Sequence, residues 1–416
     1  MAETLAKPIF GSLGSNYSAS FAFQTLWSWV SADQNQVEKL KHALTKIWPG
    51  KEILLTAKGR DSLELALRGL DIGVGEWVLT QAFSCVAVEE AIIRAGARPV
   101  YYDLAEKSLT PSVETLEAAR QKIIKQGVPT QQIQGLVLQF TLGYVPAELD
   151  KIKAWADLHK LKIIADLAQA VGANDQQGNL LGLDADAVVL SFGRDKVLDA
   201  VNGGAVIFSE QPKKDLDKFL ETDRSMLGEF KDASYPVLSW LVRQTFSFGI
   251  GKLLIKLFKL SGWWSSPVVA DHNRPHSLSP FHSELVLKRL TTWKNELKHR
   301  REIAQIYHQK LSQYAPITDQ GIEQGTNLRY PILVDNPAKL LRRLEKSNVY
   351  ISDRWYRSPV DSGSFNRPTV YTSGLCPQAE ELAKHVINLP THTNITPRQA
   401  SQLADDCQTF LSFPPR

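Results

Sequence analysis

Cysteine is scarce in this 416-residue chain: Cys85, Cys376 and Cys407 are the three present, too far apart to suggest a zinc site or a disulfide framework. They are expected to be reduced thiols. An excess of one charge is lacking too. Lys+Arg 48 against Asp+Glu 44 leaves a formal +4, spread along the chain rather than gathered into an arm, which disfavours nucleic acid as a partner. The opening MAETLAKPIFGSLGSNYSAS holds no apolar core of signal-peptide length, so secretion is not expected and a cytoplasmic location is. There is no internal repeat and no low-complexity tract. With 43% hydrophobic and 22% charged residues, the composition is that of a globular protein able to bury a large core.

What is present is an alternation. From about Ile53 to Ser209, short apolar runs alternate with segments of helical period, the pattern of βαβ units around a mostly parallel sheet. The spacing predicts strands at Trp77–Thr80, Pro99–Asp103, Gly135–Phe140, Lys162–Asp166, Ala187–Ser191 and Ala205–Ser209. It predicts helices at Asp61–Leu70, Ala87–Ala95, Ser112–Lys125 and Ala147–His159. Gln211–Tyr235 reads as a polar stretch, and a long helix should run from Ser283 to Gln313. Beyond it, two strands (Leu328–Val334, Val349–Ser352) and three helices (Pro337–Ser347, Ala379–Val386, Thr396–Phe410) suggest a small α+β unit. The expected division is a large unit over 1–290, with a variable insert near 211–270, and a small one over 291–416.

Ligands on open α/β sheets bind beyond the carboxyl ends of the strands. Asp166 ends the run KIIAD, where an ionised carboxylate is poorly solvated and costly unless it meets a cation. Ser191 opens SFGRDK, setting a hydroxyl and the Lys196 amine on one tight turn. Upstream, GRDSLELAL places Gly59 at a turn and Asp61-Ser62 at a helix start, where backbone N–H groups favour a phosphate. Pyridoxal phosphate needs such a set: an anion cradle, an acid facing its ring nitrogen and a lysine.

The run GRDSLELALRGLDIGVGEWVLTQAFSCVAVEEAIIRAGARPVYYDL resembles the opening of the DegT/DnrJ/StrS family of sugar aminotransferases. LGYVPAELDKI, IIADLAQAVGA, SFGRDKVLDAVNGGAVIFSE and AEELAKHVINLPTHTNIT are similar to that family in the same order. The resemblance implies fold type I of the pyridoxal-phosphate-dependent transferases, like aspartate aminotransferase: α/β, with a large domain, a small C-terminal domain and a homodimeric assembly. It implies that Lys196 carries the cofactor, that Asp166 faces the pyridine nitrogen, and that Gln169 lies beside the phenolic oxygen. Ser191 would contact the phosphate, with Gly59, Arg60 and Asp61 on the phosphate turn. The chain departs from the family where Arg60 replaces the usual threonine and where Cys85 stands in place of a stacking aromatic, for which Phe83 is the nearest substitute. The partner-supplied asparagine before the long helix has no ungapped match; Asn273 is near but out of register.

The activity implied is transfer of an amino group from glutamate or glutamine to a keto-sugar, nucleotide-linked or lipid-linked, in polysaccharide or glycoconjugate biosynthesis. The alternatives are a catalytically silent relative acting as a regulator or binding protein, and another pyridoxal-phosphate lyase or decarboxylase. His276 and His282, with Arg354 and Tyr356 of the C-terminal unit, are candidates for substrate contact, and no metal site is expected. The segment FSFGIGKLLIKLFKLSGWW, residues 246–264, reads as a basic amphipathic helix. It is too charged to span a membrane, and either packs on the protein or lies on a membrane surface.

Overall fold

The computed structural model describes residues 8–50, 52–222, 225–263, 274–351, 355–363 and 368–412. Its centre is a seven-stranded sheet. From one edge to the other run Glu52–Thr56, Gly204–Phe208, Ala187–Ser191, Lys162–Asp166, Ile133–Gln139, Trp77–Gln81 and Arg98–Tyr102. The last five are parallel, whereas Gly204–Phe208 and Glu52–Thr56 are antiparallel to their neighbours. The chain builds outward from Trp77–Gln81 to Arg98–Tyr102, then returns to lay down Ile133–Gln139 on the other side. This reversal is the topological switch point where such sheets bind ligands.

The six strands read from the sequence are all present: five carry apolar runs buried on both faces, as in a sheet covered by helices, while the edge strand Arg98–Tyr102 is buried at Val100 and Tyr102. The edge strand Glu52–Thr56 escapes that reading, since nothing but its pairing with Gly204–Phe208 distinguishes EILLT from a buried helical turn. Helices Gly59–Gly69, Val86–Ala95, Val113–Lys125 and Leu149–Leu158 fill the crossovers. Ser112 caps the third with a capping box, and Gly96, left-handed at φ 94°, ends the second.

Two regions differ from expectation. The polar stretch to Tyr235 is half helix: Ser225 caps Met226–Thr245, which continues through Pro236, a residue that reads as a helix breaker in isolation. The amphipathic segment is a short turn followed at Gly249 (φ 79°) by a helix confined to Ile250–Leu260. The N-terminal helices Ala19–Ser31 and Asn35–Ile47 also pack onto the core, the first against Met226–Thr245.

Ser279 caps the long helix Pro280–Leu311, which passes beside both halves of the molecule. A second hydrophobic cluster, including Ile303, Tyr307, Tyr330, Leu344, Ile387 and Leu403, forms the C-terminal core around the antiparallel pair Arg329–Leu333 and Val386–Pro390. The strand Val386–Pro390 replaces the end of the helix expected to reach Val386. Near the N-terminus Ile9–Phe10 pairs with Val349–Tyr350, which brings the first described residues to the same edge of the sheet as the strand ends.

Candidate active site

Gln139, Asp166 and Ser191 are the last residues of three adjacent parallel strands, so the sheet delivers all three to one edge. They open into a cavity of about 850 Å³ that is also lined by Gly59, Arg60, Cys85, Gln169 and Lys196. Asp166 is buried, and its carboxylate accepts the Ala168 N–H at 3.0 Å. Burial raises its pKa above the ordinary carboxylate range, with the Ala168 bond and the charge of Lys196 opposing. For Lys196, burial lowers the ammonium pKa against the attraction of Cys85, Asp166 and Asp195. An acid and a base thus share one water-poor space, each with its charged form disfavoured by desolvation.

The turn carrying Lys196 is held from below by Asp199. That carboxylate accepts from Asn16 Nδ2 at 3.0 Å, Tyr17 Oη at 2.5 Å, and the N–H groups of Asp195 at 2.8 Å and Val201 at 3.1 Å. Asp195 and Val201 lie at positive φ, 63° and 71°, which residues with side chains adopt when their surroundings over-determine them. Asp195 also meets Arg329 at 3.4 Å, while Arg194 stacks 3.8 Å over the Tyr235 ring and pairs with Asp232 at 3.3 Å. Every residue from Gly193 to Lys196 lines the cavity.

At the other end, helix Gly59–Gly69 begins at the cavity wall. A Cβ at position 59 would stand 2.8 Å from the Ser191 Cβ, and one at position 204 would stand 2.8 Å from the Gly59 nitrogen. Glycine at both positions lets a helix N-terminus, with its outward N–H groups, sit directly on the strand ends. Arg60 lines this end, with its guanidinium paired to Glu90. Asp61 corrects the sequence reading. It does not line the cavity, and its buried carboxylate turns to Arg94 at 3.3 Å; burial raises its pKa to about 6, with Arg94 pulling the other way.

Gln169 bridges the two halves of the molecule. Its Oε1 accepts the Leu142 N–H at 2.6 Å, and its Nε2 donates to Tyr356 Oη at 2.6 Å. Tyr356 and Trp355 line the cavity, with the Lys196 Nζ 5.2 Å from the Trp355 ring centre. Phe83 does not reach the cavity: fully buried, it lies edge-on behind Tyr356 at 5.3 Å. Aromatic surface beside Lys196 therefore includes Trp355 of the C-terminal segment, with Phe10, Phe140, Tyr235 and Phe246 elsewhere in the lining, and none comes from residues 83–85. Cys85 lines the wall, its thiol pKa raised by burial.

Neither candidate histidine reaches the cavity within one chain. His276 meets Glu221 at 3.4 Å, and His282 is held between Ser279 at 2.8 Å and Asp232 at 3.2 Å, where it braces the helix start. Arg354 and Asn273 lie outside the described residues. Of the groups that sequence reasoning missed, Gln139 was within reach of the strand-end rule, and Arg194 sat in a quoted motif without a role. Asp199 stood in the same motif, also without a role, whereas Tyr235 and Arg329 carry no local signal.

The sequence profile of the DegT/DnrJ/EryC1/StrS aminotransferase family matches residues 22–222 and 275–408, and the chain belongs to that family. The UDP-N-acetyl-3-dehydro-alpha-D-glucosamine 3-aminotransferase of Acidithiobacillus ferrooxidans is 34% identical over 151 residues, spanning 36% of this chain and 38% of the relative. DesV of S. venezuelae, solved in complex with a ketimine intermediate, superposes with a TM-score of 0.69 at 20% identity over 97% of this chain and 98% of that one. A proposed sugar aminotransferase of Streptococcus pneumoniae, solved in a PLP form, gives a TM-score of 0.68 at 17% identity over 95% and 97% of the two chains. The fold is accordingly fold type I of the pyridoxal-phosphate-dependent transferases.

Proposed function

We propose that this family member is a pyridoxal-phosphate-dependent aminotransferase that moves an amino group from glutamate or glutamine to a nucleotide-linked keto-sugar, working as a homodimer. The observation that carries the reading is the pairing of Asp166 and Lys196, both desolvated, in one cavity. The residues fit the cofactor at both ends. The cradle at Gly59 and Ser191 is one that a side-chain carbon would fill, as close approach of a phosphate requires. Asp166 is a buried acid that stays costly when ionised until a cation such as a pyridinium nitrogen stands against it.

When bound, pyridoxal phosphate supplies an electron sink for carbanion charge next to the reacting amine. The chain's own residues do the rest. Gly59 and the first turn of its helix, with Ser191, hold the anionic end, and Asp166 fixes the charge of the ring nitrogen. Gln169 reaches the same cavity from the loop after Asp166 while tethered to Leu142 and Tyr356. Lys196, kept from water and lowered in pKa, would be a base able to take a proton from the donor's α-carbon and return it on the far side of the transferred nitrogen, two atoms along. Asp199 is a positioning residue, because it holds the turn that aims Lys196.

The name of the Acidithiobacillus relative supports a nucleotide sugar as the acceptor class. A second reading, a silent relative acting as a binding protein, is favoured by Arg60, whose guanidinium is engaged by Glu90 at the phosphate end. One experiment separates the two. Purified protein mixed with pyridoxal phosphate should gain a visible-range absorbance band that glutamate discharges and that Lys196→Ala lacks. Protein that stays colourless at saturating cofactor would sink the enzymatic reading and leave the binding protein.

A further inference from the structure

The helix Ile250–Leu260 has two working sides. Inward, Ile255 and Lys259 line the catalytic cavity, and Leu254, Ile255 and Phe258 pack against the cluster of Phe10, Val242 and Phe246. Outward, Ile250, Leu253, Leu257 and Leu260 recur at helical spacing and are exposed, Leu260 to 76%, with Phe248 just before them exposed to 74%. Single exposed apolar residues need no explanation, but a continuous row on one helix does. Lys252 and Lys256 are exposed beside that row. No acidic residue occurs between Asp232 and Asp271.

We infer that this outer face is a docking surface for an anionic bilayer. Apolar side chains along one side and lysines along its edge, with no carboxylate to repel phosphate headgroups, match the chemistry of a helix lying in the membrane interface. A second copy of this chain fits less well. A two-fold contact that laid this helix against itself would bring lysine to lysine with no acid in the segment to offset them. Trp263 is not part of the surface, since its Nε1 donates to Ser234 at 3.0 Å and its ring packs on Phe230. Among the described residues no helix is long and apolar enough to cross a membrane, so the contact is peripheral. Docked in this way, the cavity stands about one helix diameter, roughly 10 Å, from the lipid.

The test is flotation of the full chain in a density gradient with phosphatidylcholine vesicles, with and without phosphatidylglycerol. The wild type should rise with phosphatidylglycerol vesicles and far less with phosphatidylcholine alone. Leu253→Glu/Leu257→Glu, folded by circular dichroism, should lower the floated fraction at least about tenfold, since it removes two leucines from the lipid contact. Wild-type protein that stays at the bottom with phosphatidylglycerol overturns the proposal. So does a double variant that floats as well as the wild type, or one that converts a dimer to a monomer in light scattering, which would mark a self-interface. Flotation needs no cofactor and no turnover, so its failure is distinct from failure of the aminotransferase reading, which the absorbance experiment reports.

Discussion

The floor and the side wall of the cavity are built on opposite principles. The floor is made of polar groups driven inside: Asp166, Ser191 and Gln139 end buried strands, and Lys196 rides a turn whose carboxylate latch, Asp199, is itself buried. The wall formed by Ile250–Leu260 keeps apolar groups outside and lysines beside them. In the floor, desolvation shifts pKa values and hydrogen bonds fix geometry, so small changes should be expensive. In the wall, the outer residues touch little of the protein, so changes there should be cheap for folding and matter to a partner alone.

The sharpest contrast is at Lys196. Lys196→Ala should slow the half-reaction with glutamate by roughly 10²–10⁴-fold or more in single-turnover measurements, the range ascribed to a positioned acid–base group. A loss under tenfold would place the base elsewhere. Next comes Asp61, the buried acid behind the phosphate end. Its folded-state pKa of about 6 lies above the ordinary 3.8, so the native state binds that proton more tightly than the unfolded chain. Its contribution therefore favours folding at low pH and is lost as pH rises from about 4 through 6, by roughly 3 kcal/mol. The stability of the wild type minus that of Asp61→Asn should fall across that window and be flat above it; a flat difference throughout would show that Arg94 neutralises the site fully.

Gly59→Ala puts a carbon 2.8 Å from Ser191. It should cost about 1–3 kcal/mol in denaturant unfolding and weaken cofactor uptake measured by absorbance titration. Tyr17→Phe removes one of four bonds to Asp199 and should cost about 0.5–1.5 kcal/mol while lowering the half-reaction rate with no change in the cofactor's spectrum. A purely structural role would leave that rate alone. Smallest of all, Leu253→Glu/Leu257→Glu should alter unfolding free energy by less than about 0.5 kcal/mol and leave the half-reaction untouched. A large destabilisation there would erase the contrast between wall and floor.

Much of this was open to reading from the residues alone. Asp166, Ser191 and Lys196 were visible because a polar group at the end of an apolar run is a strand-end signal, and because strand ends bind ligands. The central strands were visible because they are buried on both faces and read as unbroken apolar runs. The edge strand Glu52–Thr56 and the helix through Pro236 were not, because their identity comes from what they pair with and pack on rather than from any period of their own. Asp61 shows the limit within a single helix turn. Its position at the helix start suited a phosphate, yet its side chain lies on the face that meets Arg94 of the neighbouring helix.

Sequence by itself determined which chemical groups are available and where along the chain they fall: an acid, a lysine and a glycine turn, each beside an apolar run. Tertiary structure alone decided that Asn16, Tyr17 and Asp199 grip the lysine's turn, that Tyr356 reaches Gln169, and that Phe83 falls behind the cavity instead of within it. The physical reason is distance along the chain. The contact between residues 16 and 199 is made within the large core, and the one between 169 and 356 where the two cores meet; no local propensity encodes either.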